Sequence, residues 1–234
     1  MKKYLLLFLV FFTLSSIAKP KHSYVRLKTG KGECIIMLYN QTPKHRDNFL
    51  KLSKEGFYNG TLFHRVIKEF MIQGGDPDSK NAAAGQQLGS GDLGYRVDAE
   101  FRDSLFHKKG VLAAARNDNP AKASSASQFY LVQGKKFSDE ELDKTRMSRM
   151  NGRIIPESQR AVYKTLGGAP HLDGNYTVYG EVVQGLALID TIASVATSPA
   201  NRPVEDISME ISILKKSEAR KLEKRRLGLK NSPL

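Results

Sequence analysis

The sequence predicts an all-β protein, a closed antiparallel barrel whose open ends are plugged by two helices. Two observations lead there. Short apolar runs with a two-residue period recur along the 234 residues, and one strongly apolar helical pattern stands near each end of the chain.

The elements follow in order. Val25 and Leu27 alternate with Tyr24, Arg26 and Lys28, and after the turn Gly30-Lys31-Gly32 residues 34–39 return as the second arm of a hairpin. The first helix has Thr42 as N-cap, Pro43 at its first position, Phe49, Leu50 and Leu52 inward, and Gly56 just beyond its end. Further strands are expected over 61–67, 70–73, 111–115, 128–132 and 177–183. After Gly185 a second helix aligns Leu186, Ile189 and Ala193, with Leu188 and Ile192 beside them. The last strand is the clearest: Ile207, Met209, Ile211 and Ile213 alternate with Ser208, Glu210 and Ser212. A polar insertion at about 134–169 interrupts the pattern. Ser138 and Glu141 form a capping box for a helix running to about Met150, and Pro156 opens a candidate second one. Its sparse apolar residues, Leu142, Met147 and Met150, suit a surface excursion better than a second domain.

The chain opens MKKYLLLFLVFFTLSSIAKP, a charged start, an apolar run and small residues, which is the layout of a signal peptide over 1–18. The apolar run is short for a span of about 20 residues, so cleavage and a periplasmic or secreted product are expected; the alternative is an uncleaved anchor in the inner membrane. A single domain over 19–214 and a basic tail over 215–234 would remain. The net charge of +13 is concentrated in that tail, KKSEARKLEKRRLGLKNSPL, which reads as a surface helix or a frayed end. At most it gives weak contact with anionic surfaces; an exported chain has little occasion to meet nucleic acid. Cys34, the one cysteine, precludes an internal disulfide and reads as a small buried hydrophobe.

Several chemistries lack their signal. Gly89-Ser90-Gly91-Asp92-Leu93-Gly94 matches a dinucleotide fingerprint, yet no strand pattern precedes it and no helix pattern follows, so it reads as loop. There is no G-x-S-x-G, H-E-x-x-H or C-x-x-C. The five histidines are scattered without metal spacing, and Glu140-Glu141 lies where no apolar wall would raise a carboxyl pKa. Neither metal nor cofactor is implied.

The stretch FHRVIKEFMIQGGDP, residues 63–77, sets an arginine and a glutamine among apolar side chains with no nucleophile nearby. One reaction suits such a set. Rotation about an X-Pro amide is held back by C–N resonance, with a barrier of about 18–20 kcal/mol and uncatalysed times of roughly tens to hundreds of seconds. Twisting returns the lone pair to the proline nitrogen. A donor aimed at that nitrogen therefore binds the transition state better than either planar form. Arginine fits, because it keeps its charge and presents a rigid fork of donors.

The same stretch, with SQFYL at 127–131, HLDGNYTVYGEVVQG at 171–185 and TPKHRDNFLKL at 42–52, resembles the cyclophilins, peptidyl-prolyl isomerases with an eight-stranded barrel. The resemblance spans about 23–214, broken by the insertion. It implies Arg65 as catalytic donor, Gln73 as its orienting partner and a contact for the substrate backbone, and Phe70, Met71, Tyr130 and Leu172 as the proline pocket, with Phe70 counted beside Arg65 and Gln73 as catalytic. Ala115, Arg116 and Gln128 would line the peptide groove, joined by His171 and Tyr176. The departures are Tyr130 for a usual phenylalanine, His171 for a tryptophan of many eukaryotic members, Tyr176 for a histidine, Arg116 for an asparagine, and Ala82-Ala83-Ala84 where the family is often glycine-rich. The implied partners are proline-containing segments of exported polypeptides, handled by a monomer without cofactor. The rival readings are a proline-peptide binding module with little turnover, and a protein tethered to a surface by its tail.

Overall fold

The computed structural model describes residues 21–226 and 228; the expected signal peptide and the last residues of the basic tail lie outside them. Eight strands form one antiparallel curled sheet: β1 (Ser23–Thr29), β2 (Gly32–Leu38), β3 (Arg65–Ile67), β4 (Met71–Gly74), β6 (Val111–Ala114), β8 (Phe129–Val132), β9 (Val178–Gln184) and β10 (Met209–Ile213). Two short strands, β5 (Arg96–Val97) and β7 (Ser124–Ser125), pair separately. The order in the large sheet is β10-β1-β2-β9-β6-β8-β4-β3.

The barrel is not fully closed, which corrects the expectation of a closed one. β3 and β10 share no ladder; the run expected over 61–67 narrows to three residues of strand. The seam is bridged by the segment before β3, where Met209 donates to the Thr61 carbonyl and Gly60 and Phe63 donate to Met209 and Ile207, each at 2.9 Å. A few bonds of this kind satisfy the edge without continuing the sheet.

Alternation sorts the strands into two faces, and on β4, β6 and β8 both are covered, whereas β10 leaves Glu210 and Ser212 exposed. Ile36, Leu38, Ile72, Leu112, Phe129 and Leu131 point into the barrel, around a core where Phe49 meets Phe129 edge-on at 5.5 Å. Met71, Ala113 and Tyr130 point outward and are nonetheless buried. Two helices, α1 (Pro43–Lys54) and α4 (Ala187–Ala193), pack on the sheet as the plugs that periodicity predicted.

Thr42 does stand at the N-cap of α1, but its hydroxyl makes no capping bond. The Glu100 carboxylate does that work from 56 and 55 residues away, accepting from the backbone N–H of Lys44 at 3.1 Å and of His45 at 3.0 Å. A buried anion there satisfies orphan donors and complements the helix dipole. Glu100 also accepts from the His45 ring at 2.8 Å, while Ser124 bonds its other nitrogen at 3.0 Å.

The insertion forms α2 (Asp139–Arg149), with the predicted capping box in place, and α3 (Glu157–Thr165), which begins after Pro156. It is more than an excursion. Leu142, Met150, Ile155 and Tyr163 make a small core of their own against Phe106 and Phe137, whereas Met147 is exposed. In the basic tail, α5 (Lys216–Arg226) lies on the outer face of β1 and β2 through Ala219 and Leu222. Glu223 of α5 accepts from the backbone of His22 at 2.8 Å and Lys21 at 3.0 Å, tying the two ends of the described chain together. Cys34 is buried, and burial pushes its thiol up to about 12, so it is inert.

Candidate active site

Strand register builds the site. Arg65 pairs with Gln73, Gln73 with Tyr130, and Tyr130 with Ala113, so four outward side chains stand in one row across β3, β4, β8 and β6. Residues directly opposite on neighbouring strands share a face with their Cβ atoms about 4.5–5.5 Å apart. A cation, an amide, an aromatic floor and a space left by a small residue are thereby set side by side without any loop.

Around this row lies a cavity of about 360 Å3, near the lower end of the range for small-ligand clefts. Met71, Tyr130 and Leu172, at most 8% exposed, give it an apolar lining, and half-buried Phe70 stands at its edge. Arg65, Gln73, Ala115, Arg116 and Tyr176 complete the predicted members. Gln128 stands behind Gln73 in hydrogen-bond contact. His171 is placed differently: its ring lies tilted against Phe70, centroids 5.4 Å apart, and lines an adjoining crevice.

The polar side of the cavity is one directed chain of hydrogen bonds. Arg65 Nη1 donates to Gln73 Oε1 at 3.2 Å, Gln73 Nε2 to Gln128 Oε1 at 3.1 Å, and Gln128 Nε2 to the carbonyls of Gly89 and Gly91 at 3.0 Å. A chain that starts on a guanidinium and ends on carbonyls admits one orientation for both amides. It occupies Gln73 and leaves Arg65 exposed at the edge of the cavity.

Two glycines allow this approach. Gly75, directly after β4, has φ +85°, and a Cβ there would meet the Ser127 carbonyl oxygen at 2.3 Å. Gly91 lies so close to Asp76 that a Cβ would come within 2.0 Å of its carboxylate. Asp76 in turn accepts from the backbone of Gly89, fixing the loop that carries the fingerprint-like glycines beside the cavity.

Tyr130 carries a hydroxyl in the floor, and it is satisfied. It bonds His107 Nε2 at 2.9 Å, while His107 Nδ1 donates to Asp173 Oδ1 at 2.8 Å and Tyr163 of α3 donates to Asp173 Oδ2 at 2.6 Å. Burial holds the Tyr130 phenol well above its ordinary range, so it stays neutral. Arg116 folds its guanidinium over the Tyr176 ring at 4.7 Å and donates to the Asn175 carbonyl at 2.9 Å, making a stacked wall.

Sequence reasoning missed Leu88, Gly89 and Ser90, which line the cavity from a loop with no periodic signal, and it missed His64. That histidine is 4% exposed, and its ring nitrogens form no well-aligned hydrogen bond. Burial pushes its pKa down to about 4. Among the described residues no three His, Cys, Asp or Glu side chains are grouped as a metal site requires.

The site is an outward-facing apolar cup on a curled sheet, edged by a guanidinium that Gln73 holds at 3.2 Å. Residues 24–212 match the family model described as cyclophilin type peptidyl-prolyl cis-trans isomerase/CLD. The chain belongs to that family. It is 33% identical over 187 residues to a "Putative peptidyl-prolyl cis-trans isomerase" of Staphylococcus aureus, covering 80% of this chain and 88% of the relative. A "Putative bifunctional phosphatase/peptidyl-prolyl cis-trans isomerase" of Streptococcus pyogenes is 37% identical over 191 residues, 80% of this chain, and the match spans 37% of that longer protein. A solved cyclophilin-type isomerase of Cryptosporidium parvum shares the fold, with TM-score 0.60 and 24% identity over 83% of this chain and 98% of its own. A crystal structure of that isomerase in the presence of the dipeptide Ala-Pro gives TM-score 0.59 and 25% identity, covering 82% and 99%.

Proposed function

We propose that this chain accelerates rotation about X-Pro bonds in exported polypeptides, with Arg65 as the donor to the twisting amide. The row Arg65–Gln73–Tyr130–Ala113 carries the reading. The pyrrolidine ring sits in the cup of Met71, Tyr130 and Leu172 with Phe70 over it, and the preceding carbonyl swings in the groove. As the C–N bond loses conjugation its nitrogen gains a lone pair, and a guanidinium donor held by Gln73 meets it. Neither planar ground state offers that acceptor, so the interaction lowers the barrier instead of tightening binding uniformly. A crystal structure of a relative with Ala-Pro supports a proline-containing ligand.

A charged donor contributes about 1.5–3 kcal/mol, or roughly ten- to a hundredfold in rate. The groove supplies the rest, by holding the peptide twisted beside a surface that excludes water. Gln128 and the loop carbonyls act through Gln73, as positioning groups. The signal-like start of the chain supports export.

The deciding experiment is a protease-coupled isomerisation assay on X-Pro tetrapeptides with the wild type and Arg65→Ala. The variant should lose at least tenfold in kcat/KM while its thermal midpoint stays put. Full activity in Arg65→Ala would remove Arg65 as the donor; an inactive wild type would remove the isomerase reading.

A further inference from the structure

Phe70 divides two hollows. One is the proline cup; the other is a crevice of about 540 Å3 between the β3–β4 hairpin and α2 of the insertion. Phe70, Ala169 and His171 form its apolar floor. Its far wall is α2, which packs against the Pro170–Leu172 turn, and that same turn supplies Leu172 to the cup. A polypeptide seated by its proline must cross Phe70 to leave the cup on this side.

The rim of the crevice is cationic. Lys135 is neutralised by Glu141 at 2.7 Å, and Glu141 is itself held by the backbone N–H of Ser138. Lys144 and Arg149 line the same wall, and among the described residues neither has a carboxylate within 4.0 Å, unlike Lys135, Arg160 and Lys164 around them. Glu69 is the one opposing carboxylate left in the lining, so unpaired positive charge is in excess. The Arg149 charge reaches the floor: after burial it is the largest cause that pushes the His171 pKa down, to about 4. His171 is therefore neutral near pH 7 and adds apolar surface and not charge.

We propose that this crevice is a substrate subsite that takes an acidic side chain of the bound polypeptide, a few residues from the proline, between Lys144 and Arg149. The proposal rests on the isomerase reading. It makes the insertion a selector among proline segments that the cup alone would treat alike. Two exposed charge pairs support a preference of roughly two- to tenfold at low ionic strength, screened away by salt.

The test compares peptides sharing one X-Pro core and carrying Glu, Gln or Lys at the second or third position on either side of the proline. For the wild type at low salt, kcat/KM should favour Glu over Gln by two- to tenfold on one side of the proline only, and the ratio should collapse towards unity at high salt. In the double variant Lys144→Glu/Arg149→Glu the order should invert, with the Lys peptide preferred. A misfolded variant cannot produce that inversion, because the ratio is read within one preparation. Equal ratios in the wild type, or a Glu preference that survives the double reversal, would overturn the subsite. Inhibition by inorganic phosphate with no peptide preference would overturn it as well. If no peptide is turned over, the isomerase reading fails separately, and anisotropy titrations of the same labelled peptides decide the subsite by the same ordering of affinities.

Discussion

The cup and the insertion meet at Phe70 yet are held in opposite ways. The row beside the cup stands on four strands whose ladder fixes its side chains, Leu172 is added from the Pro170–Leu172 turn and Phe70 from the β3–β4 turn, and the polar groups bond one another in a single direction. The insertion rests on two short helices, of 11 and 9 residues, lengths that are marginal in isolation. Four side chains form its core, and exposed pairs such as Arg160 with Asp139 and Asp143, both at 2.8 Å, lace its surface. One buried post joins the two regions, Tyr163 to Asp173 to His107 to Tyr130. The difference teaches where precision is needed. On the proposed readings, the donor row is placed in a sheet, and the charges that would sort substrates are placed on a helix that reaches the cup through the Pro170–Leu172 turn.

The strongest way to break the comparison is Tyr163→Ala. It empties the small core and strips Asp173 of a donor, and should destabilise the insertion by about 3–5 kcal/mol. Hydrogen exchange should show protection lost across 139–165 while β4, β6 and β8 stay protected, with turnover of tetrapeptides retained within about threefold. Unfolding of the whole chain in one step with the insertion would show the two regions to be a single unit.

Acid should separate them next. His64 and His171 flank the cup with pKa values pushed down to about 4 by burial, and burial also lowers that of His45; the insertion contains no histidine. For these groups the unfolded chain, with a pKa near about 6.5, binds protons that the folded state refuses. Their contribution is complete above about pH 6.5 and is lost progressively as pH falls towards 4. The carboxylates of the insertion run the other way in range: Lys164 and Arg160 hold Asp139 below its ordinary value, and Ser138 and Lys135 do so for Glu140 and Glu141. Their contribution persists until the pH drops below the usual carboxylate range. Thermal midpoints from pH 7 to 4 should therefore fall through the barrel first, and His64→Gln should flatten that slope. Turnover from about pH 6 to 9 should stay level, since nothing in the row titrates there; a bell-shaped profile would contradict the assignment.

The smallest expected effect sharpens the post between the regions. Tyr130→Phe keeps the ring and removes the hydroxyl, leaving His107 Nε2 without its partner in a buried site. Urea unfolding should show a loss of about 1–3 kcal/mol, and kcat/KM should change by less than about threefold. A large drop in turnover would mean that the hydroxyl has a part in the chemistry.

How much was legible depended on range along the chain. The run 207–213 announced β10 because a period of two survives in any context, and Ser138 with Glu141 announced α2 because a capping box is local. The members of the cup were named by the resemblance: Met71 and Phe70 lie in one hairpin, but Tyr130 and Leu172 come from distant stretches that no local pattern joins, and the fold brings all four around one cavity. What sequence did not disclose was non-local: Glu100 capping α1 in place of Thr42, the open seam between β3 and β10, the loop at 88–90 and the bond from Tyr130 to His107. His64 gave no sign either. A histidine reads alike whether its ring meets solvent or lies buried, and only packing decides which.

Because the cup lies on the outside of the sheet, with a filled core behind it, a bound polypeptide would lie across a saddle and would not need to thread an opening. No free terminus is required. On the proposed function, a proline deep inside a long polypeptide would be as reachable as one near its tips, provided that a few residues on each side are extended.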